Sequence, residues 1–177
     1  MPFNDPDGQL AAERLVPQLR GSDYEPQSVR NVAYNCFAWA AREFETWMEP
    51  PGTASWAFWP ADLPTWDTLE NYVRAFAQRE FAECLDGSLE SGYEKIALFV
   101  DEGGAPLHAA RQLESGRWTS KLGKGIDIEH QLATIDGSPA IGRVAVFMKR
   151  VWPGPAPEPP AGLLIAQSLP DAPPSWQ

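Results

Sequence analysis

Cysteine, histidine, positive charge and long apolar runs are all scarce in this chain of 177 residues. Two cysteines, Cys36 and Cys84, cannot make a disulfide scaffold, and in a reducing compartment both stay as free thiols. The two histidines, His108 and His130, do not combine with them into the short paired spacings of a structural zinc site, so no metal and no other cofactor is expected. The best apolar runs, "IALFV" and "GLLIA", fall far short of the ~18 residues that cross a bilayer. The opening "MPFNDPDGQLAAERL" lacks the positive start and apolar core of a secretory signal, and a cytoplasmic protein is the resulting expectation. Lys and Arg number 14 against 24 Asp and Glu, a formal charge of −10, which argues against nucleic acid and anionic membrane surfaces as partners. No phosphate-loop pattern and no internal repeat occurs.

What is abundant is proline, and 8 of its 18 occurrences lie from Trp152 onward, in "WPGPAPEPPAGLLIAQSLPDAPPSWQ". Proline removes backbone donors, so residues 152–177 are read as a tail and residues 1–151 as one domain. Within that domain helical patterns precede strand patterns. "AAERLVPQL" is a weak opening helix broken by Pro17; a helix from Cys36 to Met48 has Asn35 as its N-cap; and a third, from about Thr65 to Phe81, sets Leu69, Tyr72, Val73 and Phe76 on one stripe. "KIALFVD", "LHAARQLE", "RWTSKLG" and "GRVAVFMKR" read as strands joined by turn-forming "EGGAP", "SG" and "IDGSPAIG". The expectation is an α+β fold, its N-terminal helices packed on one face of a mostly antiparallel sheet.

Cys36 opens its helix one residue after the proposed cap, where unpaired N–H groups favour a thiolate. Cys84, in "FAECLD", has no such setting and is taken as structural. A nucleophilic thiol also needs an imidazole, and His108 near the start of a strand is the candidate. Alternation separates Leu107, Ala109 and Arg111 from His108, Ala110 and Gln112, and either set could face the helices. A two-residue loop of Ser115 and Gly116 would bring Thr119 and Lys121 onto the His108 face; a three-residue loop from Glu114 would bring Ser120. Ser120, Glu129 and His130 are therefore equal candidates for the group that orients His108, and Asp127 reads as a solvated loop residue.

A cysteine opening a helix, a histidine on a later strand and a polar residue on the next resembles the layout of papain-like cysteine hydrolases, particularly NlpC-type peptidases and amidases. More closely, "YNCFAWAA", "YEKIALFVD", "HAARQLESGRWTSKLG" and "DIEH" are similar to an uncharacterised bacterial family, a likeness that runs from about Pro17 to Arg150. The papain-like resemblance implies that Cys36 is the nucleophile and His108 the general base and acid. A peptide, or another amide or ester, would be the substrate and a thioester the intermediate. It also implies an oxyanion hole formed by the Cys36 N–H with Asn31 or Asn35, although the glutamine expected shortly before the cysteine is missing. Trp56 and Trp59, in the tryptophan-rich loop between the two main helices, and Lys121 are candidates for substrate contact. The competing expectation is a non-catalytic binding module that keeps the frame and buries Cys36 in its core.

Overall fold

A computed structural model describes residues 5–51 and 57–157, so Trp56 and most of the proline-rich tail lie outside the described residues. The chain runs α1 (Pro6–Leu15), β1 (Glu25–Pro26), α2 (Cys36–Ala41), β2 (Trp47–Met48), β3 (Ala57–Phe58), α3 (Leu69–Ala77) and β4 (Ala82–Cys84), then β5 (Tyr93–Val100), β6 (Pro106–Gln112), β7 (Trp118–Lys121), β8 (Asp127–His130), α4 (Leu132–Ile135) and β9 (Arg143–Val151). Seven strands form one sheet in the order β1-β8-β7-β6-β5-β9-β4, antiparallel at every pairing. β2 and β3 form a separate parallel pair. The fold is α+β, as the change of hydrophobic period along the chain predicts.

α1, α2 and α3 each begin on a side-chain oxygen that satisfies an orphan N–H, whereas α4 has no side-chain cap. Asp5 accepts from Gly8 before Pro6 opens α1, Asn35 accepts from Ala38, and Thr68 accepts from Asn71. The helix from Cys36 is only six residues long, because Arg42 turns into the left-handed region at φ 66° and ends it. All six of its side chains are buried, as an unbroken apolar sequence requires. By contrast α3 is amphipathic: Tyr72, Ala75 and Phe76 face inward, while the exposed Glu70 and Arg74 pair at 2.6 Å.

The helices do not share one face of the sheet. α2 and α3 cover the side that presents Ile96, Leu98, Ala109 and Met148. The opposite side presents Ala97, Phe99, Ala110, Trp118 and Ile128 to Ala12 of α1, Val16, Leu19 and Ile135 of α4. Gly8 allows α1 to sit this close, since a Cβ there would lie 2.7 Å from Ile126. The start of the tail is anchored: Trp152 donates its N–H to Gly92, and Gly154 accepts from Arg42.

No described helix is long and apolar enough to cross a membrane. Among the described residues no three His, Cys, Asp or Glu side chains are grouped to hold a metal ion.

Candidate functional site

Cys36 opens α2 with the predicted cap in place, but it is fully enclosed. Burial pushes its thiol up to about 12, the Glu49 carboxylate adds to the rise, and the Ala109 backbone opposes it. On β6 the residue turned toward Cys36 is Ala109; His108 and Ala110 point to the other side of the sheet, where His108 meets the ring of Phe99 at 5.5 Å. The expected Cys36–His108 pair is therefore not assembled. The strand itself separates the two side chains.

His108 instead belongs to a chain of hydrogen bonds on its own face. The β6–β7 loop is the three-residue alternative, closed by Leu113 N–H to Arg117 at 2.8 Å with Gly116 at φ 84°, and it sets Ala110 opposite Ser120. Ser120 Oγ lies 3.0 Å from Nε2 of His108 and 2.8 Å from Nε2 of His130, whose Nδ1 is 2.9 Å from the Gln131 carbonyl. A carbonyl only accepts, so the His130 proton sits on Nδ1 and its Nε2 accepts from the Ser120 hydroxyl. Ser120 in turn accepts from the Nε2–H of His108, which leaves Nδ1 of His108 as a bare acceptor. Burial lowers His108 to about 3, with His130 contributing, and burial lowers His130 to about 4, so both rings are neutral at pH 7.

Two of the three candidates for orienting His108 thus reach it or its chain. The third does not: Glu129 pairs with Thr119 in register on the α2 side and holds Arg117 at 2.7 Å. The Asn35 amide is committed to neighbouring groups and not to an oxyanion hole. Asn35 takes N–H groups from Ala38 and Met48 on Oδ1 and gives its amide to Met48 and Glu49, which fixes α2 to the chain around β2. Asn31, also buried, accepts from Ala33.

Lys121 and Asp127 are corrections of another kind. Lys121 is no surface ligand group; it is wholly buried, 5.0 Å from the Tyr34 ring, and bonds the Gly125 carbonyl. Burial lowers it to about 8, and Asp127, 3.9 Å away, works against that shift. Asp127 is not in a solvated loop but in β8, enclosed, and accepts from the Tyr34 hydroxyl at 2.8 Å. Trp59 packs edge-on against Tyr72 and donates to the Pro64 carbonyl, a core contact.

A cavity of about 870 Å³ curves around the end of the sheet where β6 begins and β7 stops. One wall carries Phe37, Glu49, Asp67 and Tyr72 from the α2 side; the other carries Leu15 of α1, His108, Lys124 and Ile141. Phe37 and Tyr72 stack at 4.1 Å, and partial burial raises the Asp67 carboxyl while Tyr72 opposes that rise. Cys36 does not reach the wall; its neighbour Phe37 does. Glu49 and Asp67 carry no signal in the sequence because both lie outside regular periodic segments, and only the folded chain places both on the cavity wall.

No curated protein and no solved structure matches the chain. Residues 25–149, which hold every element from β1 to most of β9, match a family described as a domain of unknown function, and the chain belongs to that family, DUF7689.

Proposed function

We propose that this domain is a non-catalytic ligand-binding module on a papain-like frame, in which the nucleophile position has become core and the cavity beside it holds a small peptide-like ligand. The observation that carries the reading is the sheet between Cys36 and His108. A thioester mechanism needs a thiol near its base and open to substrate, whereas this thiol is enclosed and faces Ala109. The cavity has what a binding site needs: a volume in the usual range for small ligands, an aromatic wall and a few polar groups.

The test is a nuclear magnetic resonance titration of the full chain with a pool of dipeptides, alongside an assay for release of free amino acids. Saturable shifts confined to the cavity, without turnover, are expected. Leu15→Trp, a change at a half-exposed position of α1 on the cavity wall, is expected to weaken binding about tenfold by filling the space and to leave stability within about 0.5 kcal/mol. Turnover that Cys36→Ala abolishes would overturn the proposal.

A further inference from the structure

We propose that a second, smaller pocket, on the α2 side of the sheet, is a carboxylate site in which Arg111 supplies the charge and the Thr119 hydroxyl a further donor. The pocket encloses about 160 Å³ and shares no lining residue with the larger cavity. It stands on a row of residues paired across three strands, Arg111 of β6 opposite Thr119 of β7 and Thr119 opposite Glu129 of β8. Arg111, Thr119 and Trp39 are buried and make its floor, while Gln27, Leu113 and Glu129 are half-buried and make its rim.

Arg111 is a buried cation that the protein leaves short of acceptors. Its Nε is buried without one, and its one ion pair among the described residues is with Glu94, 3.7 Å from Nη1 and beyond hydrogen-bond length. The same carboxylate already holds Arg42 at 2.6 Å and Arg150 at 2.9 Å, and both of these arginines also repel Arg111. Asp127 attracts it from a distance but accepts from Tyr34 and faces Lys121. A guanidinium in this position favours a ligand that brings the missing acceptors, and a carboxylate matches its planar fork with two oxygens. Thr119 accepts from Nε1 of Trp39 at 3.2 Å, which leaves its own hydroxyl hydrogen to give. The rim sets the charge of the ligand at one. Glu129 is paired with Arg117 at 2.7 Å, and Arg117 is shared with Asp23, so a dianion such as phosphate would face Glu129 with no second cation to receive it. Trp39 and Leu113 offer apolar contact to the carbon next to the carboxylate.

The experiment titrates the full chain, labelled with ¹⁵N, with sodium acetate, sodium chloride and sodium phosphate at equal ionic strength and neutral pH. Acetate is expected to give saturable shifts at the Arg111 side-chain N–H signals and at the Thr119 amide, while chloride and phosphate do not. Arg111→Lys keeps the charge but loses the fork, and is expected to weaken acetate about tenfold. Arg111→Met is expected to abolish saturation. Acetate binding to the folded state is also expected to raise the urea midpoint of the unaltered chain above its value in chloride, a readout that needs no variant to fold. Three results would overturn the proposal: no saturable shift at Arg111 with acetate, shifts that chloride reproduces, or saturation by phosphate in place of acetate. None of them bears on dipeptide binding in the larger cavity, because the two sites have no residue in common.

Discussion

Glu94→Ala is expected to lower the unfolding free energy by about 3–5 kcal/mol, because it leaves buried guanidinium groups without their counter-charge. Glu94 lies near the start of β5 with its side chain fully enclosed. One carboxylate oxygen is 2.6 Å from Nε of Arg42 and 3.7 Å from Arg111, and the other is 2.9 Å from Nε of Arg150. These partners come from the C-cap of α2, from β6 and from β9, so one carboxylate ties a helix end to two strands. Each arginine also lies over a ring: Arg42 over Trp152, Arg111 over Trp39 and Arg150 over Phe81. Without Glu94, three cations would face one another in a site from which they could not withdraw. Burial has already lowered Arg111 to about 10 despite Glu94. Urea unfolding followed by circular dichroism measures the loss, and Glu94→Gln, which keeps an acceptor but not the charge, should fall between the two. A loss below about 1 kcal/mol would mean that the cluster is solvated rather than enclosed.

Acidification from pH 7.5 to pH 5 is expected to remove about 4 kcal/mol of stability, about 2 from each histidine. The sign follows from where the protons go. Unfolded histidine takes a proton near 6.5, whereas folded His108 and His130 resist it until about 3 and about 4, so the unfolded state binds more protons throughout that window. Their stabilisation is complete above the unfolded value and is lost progressively below it. Asp127 acts in the other direction, since burial raises its carboxyl and lets the folded state take up a proton there. Urea midpoints at half-unit steps of pH measure the slope. His130→Gln, which keeps an acceptor for Ser120, should remove about half of it. A stability that stays flat between pH 7.5 and 5 would contradict the buried, neutral histidine chain.

The parts of the fold that follow from nearest neighbours in sequence were legible. Asn35 before an alanine-rich run is a cap because its side chain can reach the third N–H ahead of it, and the apolar stripe of α3 selects its buried face without reference to the rest of the chain. The helix from Cys36 is shorter than its sequence predicts because Arg42 adopts its left-handed conformation in company with Glu94, 52 residues away, and no local signal marks that pairing. The layer order differs from the sequence expectation for a similar reason: Pro17 breaks α1 from the following turn, but only contacts with Phe99, Ile126 and Ile128 decide which side of the sheet α1 takes.

The site depended on one parity. Leu107, Ala109 and Arg111 look no more apolar than His108, Ala110 and Gln112, and an arginine would ordinarily mark the solvent side. Arg111 faces α2 because Glu94 and the face of Trp39 receive it there. That choice turns His108 away from Cys36 and toward Ser120. The loop length between β6 and β7, which sequence left open, then completes the contact by placing Ser120 on the same face. Asp127 looks solvated in the sequence for want of its partners, Tyr34 and Lys121, which converge only once β8 pairs with β7.

The most direct measurement is the alkylation of the native chain by iodoacetamide as a function of pH, with the modified cysteine located by peptide mass. Cys84, which is partly exposed, should label slowly, while Cys36 should stay unmodified at neutral pH and react only after unfolding. Native labelling of Cys36 with an apparent pKa below ~8.5, lost in His108→Ala, would show that the thiol and imidazole meet after all and would contradict the account.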